Sequence, residues 1–238
     1  MTIQLYHMKK LFIIANWKSN KTVKETEKWL HDFDDGVKGG KTRVGGKKVI
    51  VASSFVSLEH ARYCMRNLKL SVESAAQDIS PFDKGAYTGE VNGAQIKEFA
   101  NYVIVGHSER RKNFGEDDDM VAKKIEMAMK HSLIPILCIS NLDQVQSSRF
   151  KIQSYDNRII LAYEPLFAIG SGQADTPQNA ESVAAKIKEI VNDTPVLYGG
   201  SVTSLNVNSF TKMPSIDGVL VGGASLNPLE FLEIVKNA

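Results

Sequence analysis

Short, unbroken apolar runs recur along the chain, each closed by glycine, serine, asparagine or a charged residue. Eight of them read as strands: residues 11–15, 48–52, 70–75, 102–105, 134–139, 158–162, 195–198 and 218–221. Most are continuously apolar rather than alternating, as strands buried on both faces are. Between them, apolar positions return at helical spacing, most clearly over residues 22–33, 118–131 and 179–191. Thr176-Pro177 offers a hydroxyl cap followed by proline at the first helical position. Asn227-Pro228 opens a last helix over 229–236 in the same way. Strand then helix, repeated to the end, predicts an α/β fold: a single closed (β/α)8 barrel of parallel strands. The alternative is an open, doubly wound sheet. It would carry a glycine fingerprint after the first strand, where this chain has NWKSNKT.

One unit is thin. Residues 140–157 (SNLDQVQSSRFKIQSYDN) leave room for one short helix, so the fifth α unit is expected to be shortened or irregular. No linker divides the chain. Residues 8–238 are expected to form the barrel, with residues 1–7 as an extension, because Met8-Lys9-Lys10 reads as a natural start.

Composition narrows the setting. Apolar residues at 43% and charged ones at 24% fit a packed core with a solvated surface. The net charge is +2 with no dense basic block, which gives no electrostatic reason to bind nucleic acid. No apolar run approaches a membrane span. Lys9 and Lys10 precede only five apolar residues before Asn16, too few for a signal peptide core. Cys64 and Cys138 make no disulfide framework, which favours a reducing cytoplasm.

Candidate chemistry gathers at the predicted strand ends, where a barrel builds its active face. Asn16 and Lys18 follow strand one, and a lysine there holds an anion as a point charge; read alone, it is as well an ordinary surface lysine. His107 follows strand four, with Ser108 placed to cap the next helix. A helix N-terminus disfavours a cationic ring, leaving a neutral hydrogen-bond donor; a packed, satisfied histidine is the plainer reading. Glu164 follows strand six and stands before Pro165, a small apolar patch and a glycine-rich turn, which leaves a base, a metal ligand or a buried ion pair open. The glycine pairs of YGGSV and VGGAS follow strands seven and eight, where backbone N–H groups can approach a phosphate. Residues 36–48 look like a P-loop but carry Asp35 where glycine is required and follow a helix, so they read as a basic, flexible connection. No His, Cys or carboxylate spacing in the sequence argues for a metal.

Five segments together carry a resemblance: NWK after strand one, GHSERR after strand four, AYEPLFAIGSG after strand six, YGGSV after strand seven and DGVLVGGASL after strand eight. In this order the chain resembles the triosephosphate isomerase family over nearly its whole length. The resemblance implies interconversion of dihydroxyacetone phosphate and D-glyceraldehyde 3-phosphate through an enediol(ate), in glycolysis and gluconeogenesis, without metal or organic cofactor. It implies Glu164 as base, His107 as neutral electrophile and Lys18 as electrostatic stabiliser. Asn16 and Glu109 are their polar supports. Gly170, Ser201, Gly222 and Gly223 match phosphate-contacting positions, and Gly200 belongs to a loop that rearranges with the lid. Pro165, Leu166 and Phe167 match the hinge of that lid, and Ala168, Ile169, Gly170, Ser171 and Gly172 its tip. A homodimer is implied too, with Thr88 in a loop reaching toward the neighbour and Ser19 where that loop packs.

Three departures stand out against the family pattern, one of them Gln173-Ala174-Asp175 at the far end of the lid, where the family usually has a lysine-containing hinge. Asn141 occupies a position where the family usually has an acidic residue. The 26 positions from Cys138 to Glu164 are roughly a dozen fewer than usual for a unit with a full helix. Altered lid behaviour is expected from them, with the chemistry kept. A phosphate-ligand binder without catalysis, and a barrel enzyme acting on a larger sugar phosphate, are the other readings of the same residues.

Overall fold

A computed structural model describes residues 11–39, 46–147, 150, 152–155, 158–168, 174–191 and 194–238. Residues 1–7, the expected extension, lie outside this set. Eight parallel strands, β1 (Phe12–Asn16), β2 (Lys48–Ser53), β3 (Val72–Ala76), β4 (Tyr102–Val105), β5 (Ile134–Ile139), β6 (Ile160–Tyr163), β7 (Val196–Tyr198) and β8 (Gly218–Val221), pair in chain order. The sheet closes where Phe12 of β1 pairs with Gly218 of β8, giving the predicted barrel.

Alternation along each strand sorts the core into two layers. Ile14, Ile50, Tyr102, Ile104, Ile136, Ile160 and Leu220 are among the side chains that fill the barrel interior. Their neighbours, such as Ile13, Val49, Val103, Leu137, Leu161 and Val219, pack outward beneath the helices. This two-sided burial is why the strands read as unbroken apolar runs.

The helices among the described residues are α1 (Val23–Gly39), α2 (Phe55–Asn67), α3 (Gly93–Lys97), α4 (Ser108–Phe114), α5 (Asp118–Lys130), α6 (Leu142–Gln146), α7 (Pro177–Val191), α8 (Val207–Thr211) and α9 (Pro228–Asn237). The two proline starts behave as the sequence predicts. Asn179 N–H donates to Thr176 Oγ1 at 3.2 Å, and Asn227 Oδ1 accepts from the Leu229 and Glu230 N–H groups. The fifth unit is short among the described residues, with α6 followed by a 3-10 turn at Ile152–Tyr155. Asn141 caps α6, its Oδ1 accepting from Gln144 N–H at 3.0 Å.

Most boundaries shift by one or two residues from the sequence reading, and three of the shifts have a visible cause. Helix α1 runs on past Phe33 to Gly39, so residues 36–39 are helical rather than part of a flexible connection. Gly36 has a packing role there: a Cβ on it would stand 2.7 Å from Leu232 Cδ2, and its absence lets α1 lie close against α9. Residues 40–45 of that connection lie outside the described set. Strand β3 begins at Val72 because Leu70 N–H is taken by Met65 O at 3.0 Å, in the turn that ends α2. Strand β6 likewise begins after Arg158, whose N–H donates to Tyr155 O.

Candidate active site

The strand alternation that fills the barrel also sets its rim. Phe12 and Ile14, Ile160 and Ala162, and Leu220 belong to the interior layer. Two residues further along the same three strands come Asn16, Glu164 and Gly222, which line a cavity of about 290 Å³ at the C-terminal end of the barrel. Lys18, His107, Gly200, Ser201 and Gly223 line it as well. Ligand pockets start at about 300 Å³, so this one suits a small molecule.

Lys18 is presented by a constrained backbone. Its φ is 53°, the left-handed region, which for a residue with a side chain costs about 1–3 kcal/mol and needs support. Asn16 Oδ1 accepts from Lys18 N–H at 3.1 Å, and Asn20 Nδ2 donates to Trp17 O at 2.7 Å. Trp17 is fully buried, edge-on to Trp29 at 4.9 Å. Trp29 stacks on Phe33 and its indole N–H donates to Ser225 O at 3.1 Å. Ser225 returns its own N–H and hydroxyl to Gly222 O, at 2.9 and 2.7 Å. One aromatic cluster under α1 therefore fixes both the lysine and the loop after β8. A Cβ on Gly222 would stand 3.3 Å from Lys18 Cε, so the lysine needs that glycine to lie across the loop.

His107 itself caps α4, which corrects the placement of Ser108 as the cap. Its Nδ1 accepts the Glu109 N–H at 3.2 Å, so that nitrogen carries no proton and the ring proton sits on Nε2. Nε2 lies 3.1 Å from Glu164 Oε1. Ser108 is the first residue of α4, and its backbone N–H donates to Glu164 Oε2 at 3.0 Å. Glu109 sits between Lys18 and His107, with Oε1 2.5 Å from Lys18 Nζ and Oε2 3.8 Å from His107 Nδ1.

Glu164 is 1% exposed. Its N–H donates to Ile139 O, and Gly199 N–H donates to Tyr163 O beside it, so the sheet ladder continues through this carboxylate's backbone. Beneath it lies Cys138, facing inward from β5. Burial, then the Glu164 carboxylate, pushes the Cys138 thiol well above its usual range, which keeps it a neutral S–H donor toward Glu164. Helix α4 is held from behind by a buried ionic network. Lys124 Nζ lies 2.6 Å from Asp78 and also contacts Glu116, and Arg110 reaches both Asp78, at 2.9 Å, and Glu116.

The expected lid is described only at its ends. Pro165 leads into a 3-10 turn at Leu166–Ala168, with Leu166 and Phe167 exposed and Ala168 buried. Ile169, Gly170, Ser171 and Gly172 lie outside the described residues. Ser201 Oγ donates to Ala168 O at 2.8 Å, tying the loop after β7 to the hinge. At the far end, the Tyr198 hydroxyl accepts Asp175 N–H at 2.8 Å. Thr88 and Ser19 are exposed and lie outside the cavity lining.

Strand-end position and residue type found Asn16, Lys18, His107 and Glu164. They did not find the Ser108 N–H, a backbone group, the Cys138 thiol, which faces inward from β5, or Tyr198 and Asn20, whose side chains hydrogen-bond to backbone. The alternation of β5, Ile134-Ile136-Cys138, was the one signal available for the thiol.

Fold and site together define a (β/α)8-barrel protein with a lysine, a histidine and a buried carboxylate around a small, glycine-walled cavity. A family model described as triosephosphate isomerase matches residues 11–238. A triosephosphate isomerase of Mesomycoplasma hyopneumoniae strain 7448 is 43% identical over 249 aligned residues, covering 97% of this chain and 100% of the relative. One from Thermodesulfovibrio yellowstonii is 38% identical over 252, covering 96% and 100%. A third, from a Synechococcus strain, is 36% identical over 245, covering 96% and 97%. The chain belongs to the triosephosphate isomerase family and is an isomerase.

Proposed function

We propose that this chain interconverts dihydroxyacetone phosphate and D-glyceraldehyde 3-phosphate through an enediol(ate), with Glu164 as base, His107 as neutral electrophile and Lys18 as electrostatic stabiliser. The observation that carries the reading is the convergence of these three side chains on one small cavity. Glu164 takes a proton from the carbon next to the carbonyl and returns it to the neighbouring carbon. His107 keeps Nδ1 as acceptor from Glu109 N–H, so its Nε2–H, which lies 3.1 Å from Glu164 Oε1, is the ring donor that would turn to the substrate oxygen that becomes negative. Lys18 stabilises that charge and the phosphate. Asn16 holds the Lys18 backbone, and Glu109 bridges lysine and histidine. Gly222, Gly223 and Ser201 border the space for the phosphate, and Gly170 would join them from the lid. No metal or organic cofactor has a part in this proton transfer. The reaction serves glycolysis, and in the reverse direction gluconeogenesis.

The same reading makes the protein a cytoplasmic homodimer. Supporting it, the loop from Ser80 to Val91, closed at its base by Ser80 N–H to Val91 O, carries an exposed stacked pair, Phe82 and Tyr87, with centroids 4.2 Å apart. Thr88 is next to that pair, and Ser19 would receive the loop. The test is a coupled assay of the purified chain and of Glu164→Gln with D-glyceraldehyde 3-phosphate. The substitution should lower turnover by about 10²–10⁴-fold at an unchanged circular dichroism spectrum. Equal turnover in the two proteins would remove Glu164 as base.

A further inference from the structure

Away from the active-site cavity, the facing surfaces of α1 and α2 bring together Glu27, His60 and Cys64. None of the three lines the cavity. His60 and Cys64 are one helical turn apart on α2, so their side chains share a face. Glu27 reaches them from α1. His60 Nε2 lies 3.4 Å from Glu27 Oε2, and one ligand atom from each of the three residues falls within 4.8 Å of the others. The Nε2 atom is enclosed yet makes no hydrogen bond among the described residues, because its approach to Glu27 is misaligned for one. Cys64 is buried, and Glu27 is exposed.

We propose that Glu27, His60 and Cys64 form a tetrahedral binding site for a zinc-class divalent ion, with water in the fourth position, clamping α1 to α2. A carboxylate, an imidazole and a thiolate are a fitting set for such an ion, and the sulfur and nitrogen donors select against magnesium and calcium. Ligand atoms at tetrahedral zinc distances stand about 3.3–3.7 Å apart. The histidine–glutamate pair is already at that separation. No separation exceeds 4.8 Å, so side-chain movement of roughly 1 Å or little more closes the set. Binding forms a metal–sulfur bond and breaks the Cys64 S–H bond, the proton going to solvent. Burial, and then the Glu27 charge, raise the Cys64 thiol above its usual range, so affinity should grow with pH.

Cobalt(II) is the probe, because it reports thiolate ligation directly. The full chain should bind one cobalt(II) tightly, with a near-ultraviolet sulfur-to-cobalt band, intense visible bands of tetrahedral geometry and release of one proton. Zinc(II) should displace it and raise the melting temperature. Cys64→Ser should lose the charge-transfer band, and His60→Ala should lose the tetrahedral bands, while both keep wild-type isomerase turnover. Turnover is the check that each variant is folded. No cobalt band in the folded wild type, or a band unchanged in Cys64→Ser, overturns the site.

Discussion

Tyr198 shows how one buried polar group couples the barrel to the lid. Its ring stacks on Phe210 at 4.1 Å, and its hydroxyl accepts the Asp175 N–H where the lid re-enters α7. Burial pushes the phenol from 10.0 up to about 12, partly offset by that N–H. The folded state therefore holds the phenolic proton more tightly than the unfolded chain does. Tyr198's contribution to stability is complete below pH 10 and declines from there to about pH 12. Chemical denaturation across that range should show the decline shallower in Tyr198→Phe than in the wild type. Parallel curves would mean the phenol ionises without cost. The cavity-lining side chains Asn16, Lys18, His107 and Glu164 were legible because each stands at the end of an apolar run. Tyr198 and Cys138 were not, because a polar side chain inside a strand looks the same whether it packs or hydrogen-bonds. The same limit hid the Glu27, His60 and Cys64 cluster. Histidine and cysteine at helical spacing were visible, but the third ligand comes from the preceding helix.

Among the elements, α4 bears the most function for its length. It provides the Ser108 N–H to Glu164, Glu109 beside Lys18, and the N–H that fixes the His107 tautomer. A seven-residue helix has little intrinsic stability. The ionic network of Arg110, Asp78, Glu116 and Lys124 holds it against α5. Lys124 is 3% exposed. Replacing it with alanine leaves two buried carboxylates, Asp78 and Glu116, to share the Arg110 guanidinium, where the Asp78 carboxyl is already raised by burial. Lys124→Ala should cost about 3–5 kcal/mol of unfolding free energy, read from urea denaturation. A loss below 1 kcal/mol (~0.5 say) would show that solvent reaches the network. In sequence, Glu109-Arg110-Arg111 looks no different from a solvated charge run. The network is hidden there because its partners come from the loop after β3, the turn before α5 and α5 itself. Strand positions, by contrast, were legible almost throughout, since burial on both faces leaves an unbroken apolar run. The errors fell at ends. There Leu70 and Arg158 spend their N–H groups in helix-ending turns, and α1 continues through glycines that its packing against α9 favours.

At the scale of the molecule, the barrel explains why residues from β1, β4, β6, β7 and β8 meet at one cavity although the chain separates them. The short fifth unit lies outside that group, and none of the residues lining the cavity comes from α6. Exposed apolar side chains cluster elsewhere, with Phe82 and Tyr87 in the loop after β3, and Phe55 and Val56 at the start of α2. A dimer through this loop predicts that dilution lowers specific activity in step with the sedimentation change from dimer to monomer. A Thr88→Arg chain should be monomeric at concentrations where the wild type is not. Full activity of a dilute monomer would separate the site from the dimer.

The central claim is that Glu164 carries a proton between neighbouring carbons of the substrate. The most direct measurement is nuclear magnetic resonance of dihydroxyacetone phosphate incubated with the enzyme in deuterium oxide. A carboxylate that trades its proton with solvent while the enediol(ate) is bound predicts deuterium at the exchanging carbon of the recovered substrate, formed by the wild type and almost absent with Glu164→Gln. Isomerised product formed by Glu164→Gln as fast as by the wild type, with no solvent deuterium in either compound, would contradict the account, because the hydrogen would then move without the carboxylate.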